Sequence, residues 1–187
     1  LRNSIRALLQ NSSDSRMVSR LTQQMVKVIQ MDETNPRGQR NVIDGEAELI
    51  QGFDFNINGK LGNTLYVPIN ATLDRVSGEA NVEIDAFTPT VDIAAPGGTT
   101  HFKLVSAGME IDFENETFNT KSSETAILPW DNLQSAAVNL ANALTANSTK
   151  PLFLVLGVEF YQEVNGEKYP LKNGAFNALQ VIKVVGL

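Results

Sequence analysis

The chain has 187 residues, enough for one domain to bury a core of its own, and no cysteine. The missing cysteine excludes disulfides, thiolate chemistry and cysteine-based zinc or iron–sulfur sites. A formal net charge of −6 argues against general binding to nucleic acid or an anionic membrane, and no run of 18 apolar residues is present to span one.

That charge is unevenly divided. Residues 1–40 hold seven Arg/Lys against three Asp/Glu, a balance of +4, whereas residues 41–187 hold eight against eighteen, a balance of −10. The split coincides with a change from helical to alternating patterning. It predicts a basic helical segment over residues 1–33 and a β domain over residues 41–187.

Leu1, Ile5, Leu8 and Leu9 recur at helical spacing, and Ser13 or Asp14 suits an N-cap for a second helix. In that helix Met17, Val18, Leu21, Met25, Val28 and Ile29 are expected on one face and Arg16, Arg20, Gln23 and Lys27 on the other. It contains no acid to pair with its basic stripe at i+4. From residue 47 onward, strands are expected at 47–56, 65–73, 80–87, 100–113, 136–144, 153–164, 167–171 and 178–185. Turn signals such as Asn58-Gly59, Pro96-Gly97-Gly98 and Asn173-Gly174 separate them. Residues 135–146 are alanine-rich and also suit a helix, but Val138, Leu140 and Leu144 fit a period of two. The centre of the pattern is the apolar run Leu152-Phe153-Leu154-Val155-Leu156-Gly157-Val158, which reads as a strand covered on both faces. It leads to Asn165-Gly166, a type I′ hairpin signal that sets Glu163 opposite Lys168, Tyr161 opposite Pro170 and Phe160 opposite Leu171. Short strands punctuated in this way predict a mainly β protein, an antiparallel β-sandwich (Ig-like or jelly-roll-like) with an N-terminal helical segment.

Several constellations are candidates for chemistry or contact. Alternation is expected to place Glu110, Asp112, Glu114 and Glu116 on one face of a strand, with successive carboxylates about 6.7 Å apart. Such a ladder suits a solvated face, a hard cation such as Ca²⁺, or a meeting with the basic stripe of Arg16, Arg20 and Lys27. That meeting would lie either within one chain or between neighbours. His101 is the sole histidine, so a Ser-His-Asp triad would have to use it, and no nucleophile-elbow pattern is present. Trp130, in Leu128-Pro129-Trp130-Asp131-Asn132, suits either a cap on the end of the core or a platform for a sugar or partner.

Three stretches carry a family resemblance: Leu8-Leu9-Gln10-Asn11-Ser12-Ser13-Asp14-Ser15-Arg16, Gly38-Gln39-Arg40-Asn41-Val42-Ile43-Asp44-Gly45-Glu46, and residues 153–178. The chain resembles a family of uncharacterised proteins from Bacteroidota-type bacteria, along its whole length. Members of that family carry an additional basic, glycine-rich segment ahead of the position of Leu1, which implies a truncated or processed form here. A bacterial source would make the Asn-x-Ser/Thr motifs at Asn11, Asn70, Asn115 and Asn147 irrelevant to glycosylation.

These features lead to the expectation of a non-enzymatic structural subunit of a bacterial surface fibre, secreted assembly or phage-like particle. Its partner would be itself, its location extracellular or particle-associated, and no cofactor is implied. The alternative is a β-sandwich module that binds carbohydrate or another surface ligand through Trp130 or exposed tyrosines. A hydrolase using a pair of carboxylates and nucleic-acid binding through the helical segment are more distant readings.

Overall fold

A computed structural model describes residues 1–42 and 45–187. Among the described residues, nine strands run in chain order as β1 (Ile69–Leu73), β2 (Glu79–Ile84), β3 (His101–Asp112), β4 (Thr117–Glu124) and β5 (Leu128–Pro129), then β6 (Val138–Ala143), β7 (Leu152–Val164), β8 (Glu167–Pro170) and β9 (Ala178–Val185). The helices are α1 (Arg6–Leu9), α2 (Met17–Gln30) and α3 (Pro89–Asp92), with short 3₁₀ turns at Ala47–Ile50, Leu61–Asn63 and Leu171–Gly174. The strands form a three-stranded sheet in the order β1-β2-β6 and a six-stranded sheet centred on β3 and β7, and every pairing is antiparallel. The chain is therefore mainly antiparallel β.

β3 and β7 pair continuously from His101 opposite Tyr161 to Glu110 opposite Leu152. On the outer side of β3 lie β4 and the two-residue β5, and on the outer side of β7 lie β9 and β8. Because side chains alternate across a strand, β7 supplies two cores at once. Leu152, Leu154, Leu156, Val158 and Phe160 face the three-stranded sheet and pack with Ala80, Val82, Ile84 and Leu140. Phe153 and Val155 face the other way and join Met109, Leu179 and Val181. This is the physical reason for the unbroken apolar run in the sequence.

The helical segment closes the second core. Ile5, Leu9, Met17, Leu21 and Val28 are buried against that face of the six-stranded sheet, together with Ile50 and Phe55. Residues 1–31 thus form a third layer on the same body. Val18 departs from expectation, since it is 46% exposed; the buried seam of α2 is narrower than the apolar set in the sequence.

Two expected strands are corrected. Residues 47–56 form a 3₁₀ turn and a loop, in which Asp54 makes only an isolated bridge to Gln180. Residues 65–68 precede β1, with Leu65 bridging Ile93. The 135–146 stretch does contain a strand, β6.

Candidate functional site

The two sheets touch at one end and part at the other. At the closed end a Cβ on Gly108 would lie 2.7 Å from the Ala80 Cβ, so only glycine permits the approach. Beside it the Asn142 side-chain amide donates to Ser106 Oγ at 2.7 Å and to the Ala80 carbonyl at 3.1 Å. Toward β5 the sheets diverge and leave a groove of about 500 Å³, floored by Phe102, Leu128, Val138 and Leu140. Leu133 stands on its rim, 69% exposed.

β6 is an outer strand of its sheet, so half of its peptide groups have no strand beside them. The Leu144 N–H donates to the Gly78 carbonyl at 2.8 Å, which directs the even-numbered residues of β6 toward β2. Asn139, Ala141 and Ala143 therefore turn their N–H and C=O groups outward. The charge around this mouth is mixed, since Lys103 Nζ lies 2.9 Å from the Glu124 carboxylate on its rim. Glu124 and Asp131 line the groove itself. The sequence reading missed this site because its walls come from separate segments. No local pattern in any of them marks it.

Trp130 lies near the mouth but is committed to the fold. It is half-buried against the first core, and its Nε1 donates to the Ile93 carbonyl at 3.2 Å.

The expected basic stripe and acidic ladder do not meet within the chain. Arg20 is held by the Asp14 carboxylate and donates to the carbonyls of Asp54, at 2.8 Å, and Phe55, at 3.2 Å. Arg16 and Lys27 remain on the exposed surface of α2, and neither makes an ion pair among the described residues. The four-acid ladder is corrected. β3 ends at Asp112, whose side chain accepts the N–H groups of Glu114 (3.1 Å) and Asn115 (3.0 Å) and so turns the chain. Glu114 and Glu116 then sit in the turn, Glu116 with φ of 55°. Asp112 also binds Lys150, and Glu110 accepts from Ser148 Oγ at 2.5 Å. Hydrogen bonds from Asn115 and the Lys150 ammonium hold the Asp112 carboxyl well below the usual carboxylate range.

A second polar cluster lies on the helix-facing side of the sheet, beyond the helices. Glu159 is 3% exposed. It accepts from the Tyr161 hydroxyl at 2.8 Å and pairs with Lys103 Nζ at 3.4 Å, while Lys103 reaches Glu124 at 2.9 Å. Burial pushes the Tyr161 phenol up to about 12, helped by the hydrogen bond to Glu159. Burial would lower Lys103, but the bond to Glu124 and the charge of Glu159 outweigh it, and its pKa is raised. A lysine held cationic in this way is a partner for carboxylates and a poor nucleophile. His101 bridges Thr100 Oγ1 at 2.9 Å and Glu163 at 3.5 Å, on the sheet surface. Among the described residues no three His, Asp or Glu side chains are grouped to hold a metal ion, and no helix is long and apolar enough to cross a membrane.

Comparison of the chain with family models, with curated proteins and with solved structures finds no match.

Proposed function

We propose that the chain is a non-enzymatic structural subunit of a larger assembly, such as a bacterial surface fibre, secreted assembly or phage-like particle. Its two facing sheets are read as a sandwich of the Ig-like or jelly-roll-like kind, and its location as extracellular or particle-associated. The observation that carries the reading is the mouth, where an apolar groove about 500 Å³ in volume adjoins an unpaired strand edge and an exposed leucine. Exposed apolar surface beside an open edge is what a protein presents to another chain. The chemistry-bearing side chains support the same view, because Asp112, Glu110, Glu159 and Lys103 are engaged in holding backbone and one another.

The alternative, a module for carbohydrate or another surface ligand, draws on Tyr66 and Tyr169, which are 59% and 55% exposed. Trp130 contributes little to it, with its indole N–H already donated.

Light scattering and negative-stain microscopy of the full chain, at high protein concentration and low salt, test the proposal. Multi-subunit species that grow with concentration are expected. A strictly monomeric protein under those conditions overturns the reading.

A further inference from the structure

A strand at the margin of a sheet is a template for another chain, and folded proteins ordinarily guard such margins with charge, proline or a covering segment. Among the described residues, every open margin of this chain but one is guarded. On β1 the Ala71 carbonyl accepts the Lys183 ammonium at 2.9 Å. β9 is covered by the loop at residues 51–56, where Gly52 and Phe55 donate to the carbonyls of Val181 and Leu179 at 2.7 and 2.8 Å. β4 carries Lys121 and Glu124, β8 carries Glu167, Lys168 and Pro170, and the short β5 ends in Pro129. β6 has none of these. Residues 132–149 contain no charged residue and no proline, and the outward-turned Asn139, Ala141 and Ala143 are small and exposed.

We infer that β6 pairs with β6 of a second copy about a twofold axis at Ala141, joining the two three-stranded sheets into one. This rests on the subunit reading and specifies one of its junctions. If the partner is the same chain, the strand it presents must also be open and uncharged, and among the described strands β6 alone qualifies. A twofold axis makes the pairing antiparallel. Ala141 then meets its own counterpart and Asn139 meets Ala143, each exchanging N–H and C=O with the residue opposite. On the inner face Val138 meets Leu144, and both are only partly buried within one copy. No like charges are brought together. The nearest are Glu79 and Glu83 on β2, and three strand spacings, about 14 Å, separate them from those of the second copy. That exceeds the screening length of about 8 Å at physiological salt, so this junction should tolerate changes in salt.

Light scattering of the full chain compares the parent with Ala141→Pro. The Ala141 N–H faces away from β2, so proline there removes no bond within the chain. It removes both bonds at the twofold axis, and association should weaken at least about tenfold. Circular dichroism checks that the fold is kept. If it is lost, Ala141→Lys at the same exposed position reads the same contact, by setting two ammonium groups against each other. Because the chain has no cysteine, a single introduced thiol reports position. Ala141→Cys should cross-link into a covalent dimer under mild oxidation, since the axis brings the two Cα atoms within about 5.5 Å. Asn70→Cys, exposed on the far strand of the same sheet, should not. If the parent associates and the folded Ala141 variant associates equally well, or if Ala141→Cys cross-links no better than Asn70→Cys, this junction is wrong and the subunit reading stands. A monomeric parent overturns both.

Discussion

Asp32 is fully buried, and its two oxygens accept the backbone N–H groups of Thr34, Asn35 and Asn41 and the side-chain amide of Asn35. Burial alone would raise its pKa, but these donors more than offset it and hold the carboxyl below the usual range. Asp14 is lowered in the same sense: burial opposes, and the Ile57 N–H and Arg20 prevail. Asp112, Asp74 and Glu110 are lowered as well, so five carboxyls have a folded-state pKa below the unfolded value of about 4. The stability each contributes is fully present above that value and is lost as pH falls through the folded one. The melting temperature should therefore hold steady near neutrality and fall between about pH 4 and pH 2, and more shallowly in Asp112→Asn. The buried pair is a separate matter. Glu159→Ala would leave Lys103 with only the exposed Glu124 and strand the Tyr161 hydroxyl, and a loss on the order of 3 kcal/mol in urea unfolding is expected. Arg75 donates to the carbonyls of Ser148, Lys150, Val185 and Gly186 from a half-buried position. No local sequence pattern announces that clamp, because its partners lie up to 111 residues away.

At the scale of elements, legibility tracks how locally each strand is determined. Asn165 and Gly166 adopt φ of 53° and 82°, as a type I′ turn requires, and Glu163 pairs with Lys168 and Tyr161 with Pro170 as the hairpin spacing predicts. Phe160 and Leu171 are the exception, since the chain leaves β8 for a 3₁₀ turn at Leu171. β9 spans residues 178–185, as its apolar pattern implies. β4 escaped notice because Thr117-Phe118-Asn119-Thr120-Lys121-Ser122-Ser123-Glu124 has no apolar alternation; β3 imposes its register from the side. Residues 47–56 failed in the opposite way. Ile50 and Phe55 are apolar enough for a strand, but they plug the second core from a loop. The groove was not legible, because it exists only where two sheets part. Its closed end yields a prediction at this scale: Gly108→Ala forces a methyl group into Ala80 and Asn142. It should cost about 1–3 kcal/mol in denaturant unfolding, through overpacking rather than any lost contact.

For the molecule as a whole, the three layers share one strand. β7 packs the small sheet with one set of side chains and the helices with the other, so neither core can loosen without disturbing it. Leu21→Ala, far from the small sheet, should lower global stability by about 2–4 kcal/mol. Circular dichroism and Trp130 fluorescence, which reports from the other side of the sheet, should still unfold at one midpoint. Two separate transitions would show that the layers are independent.

The chain order of those layers has a consequence for synthesis. α2 is made before the strands that cover its apolar seam, β7 and β9, which emerge from the ribosome more than 100 residues later. At ordinary translation speeds the nascent helix waits on the order of ten seconds for its sheet, its greasy side open to whatever is nearby. A holding chaperone, or a neighbouring nascent chain on the same message, is the company it would keep during that interval.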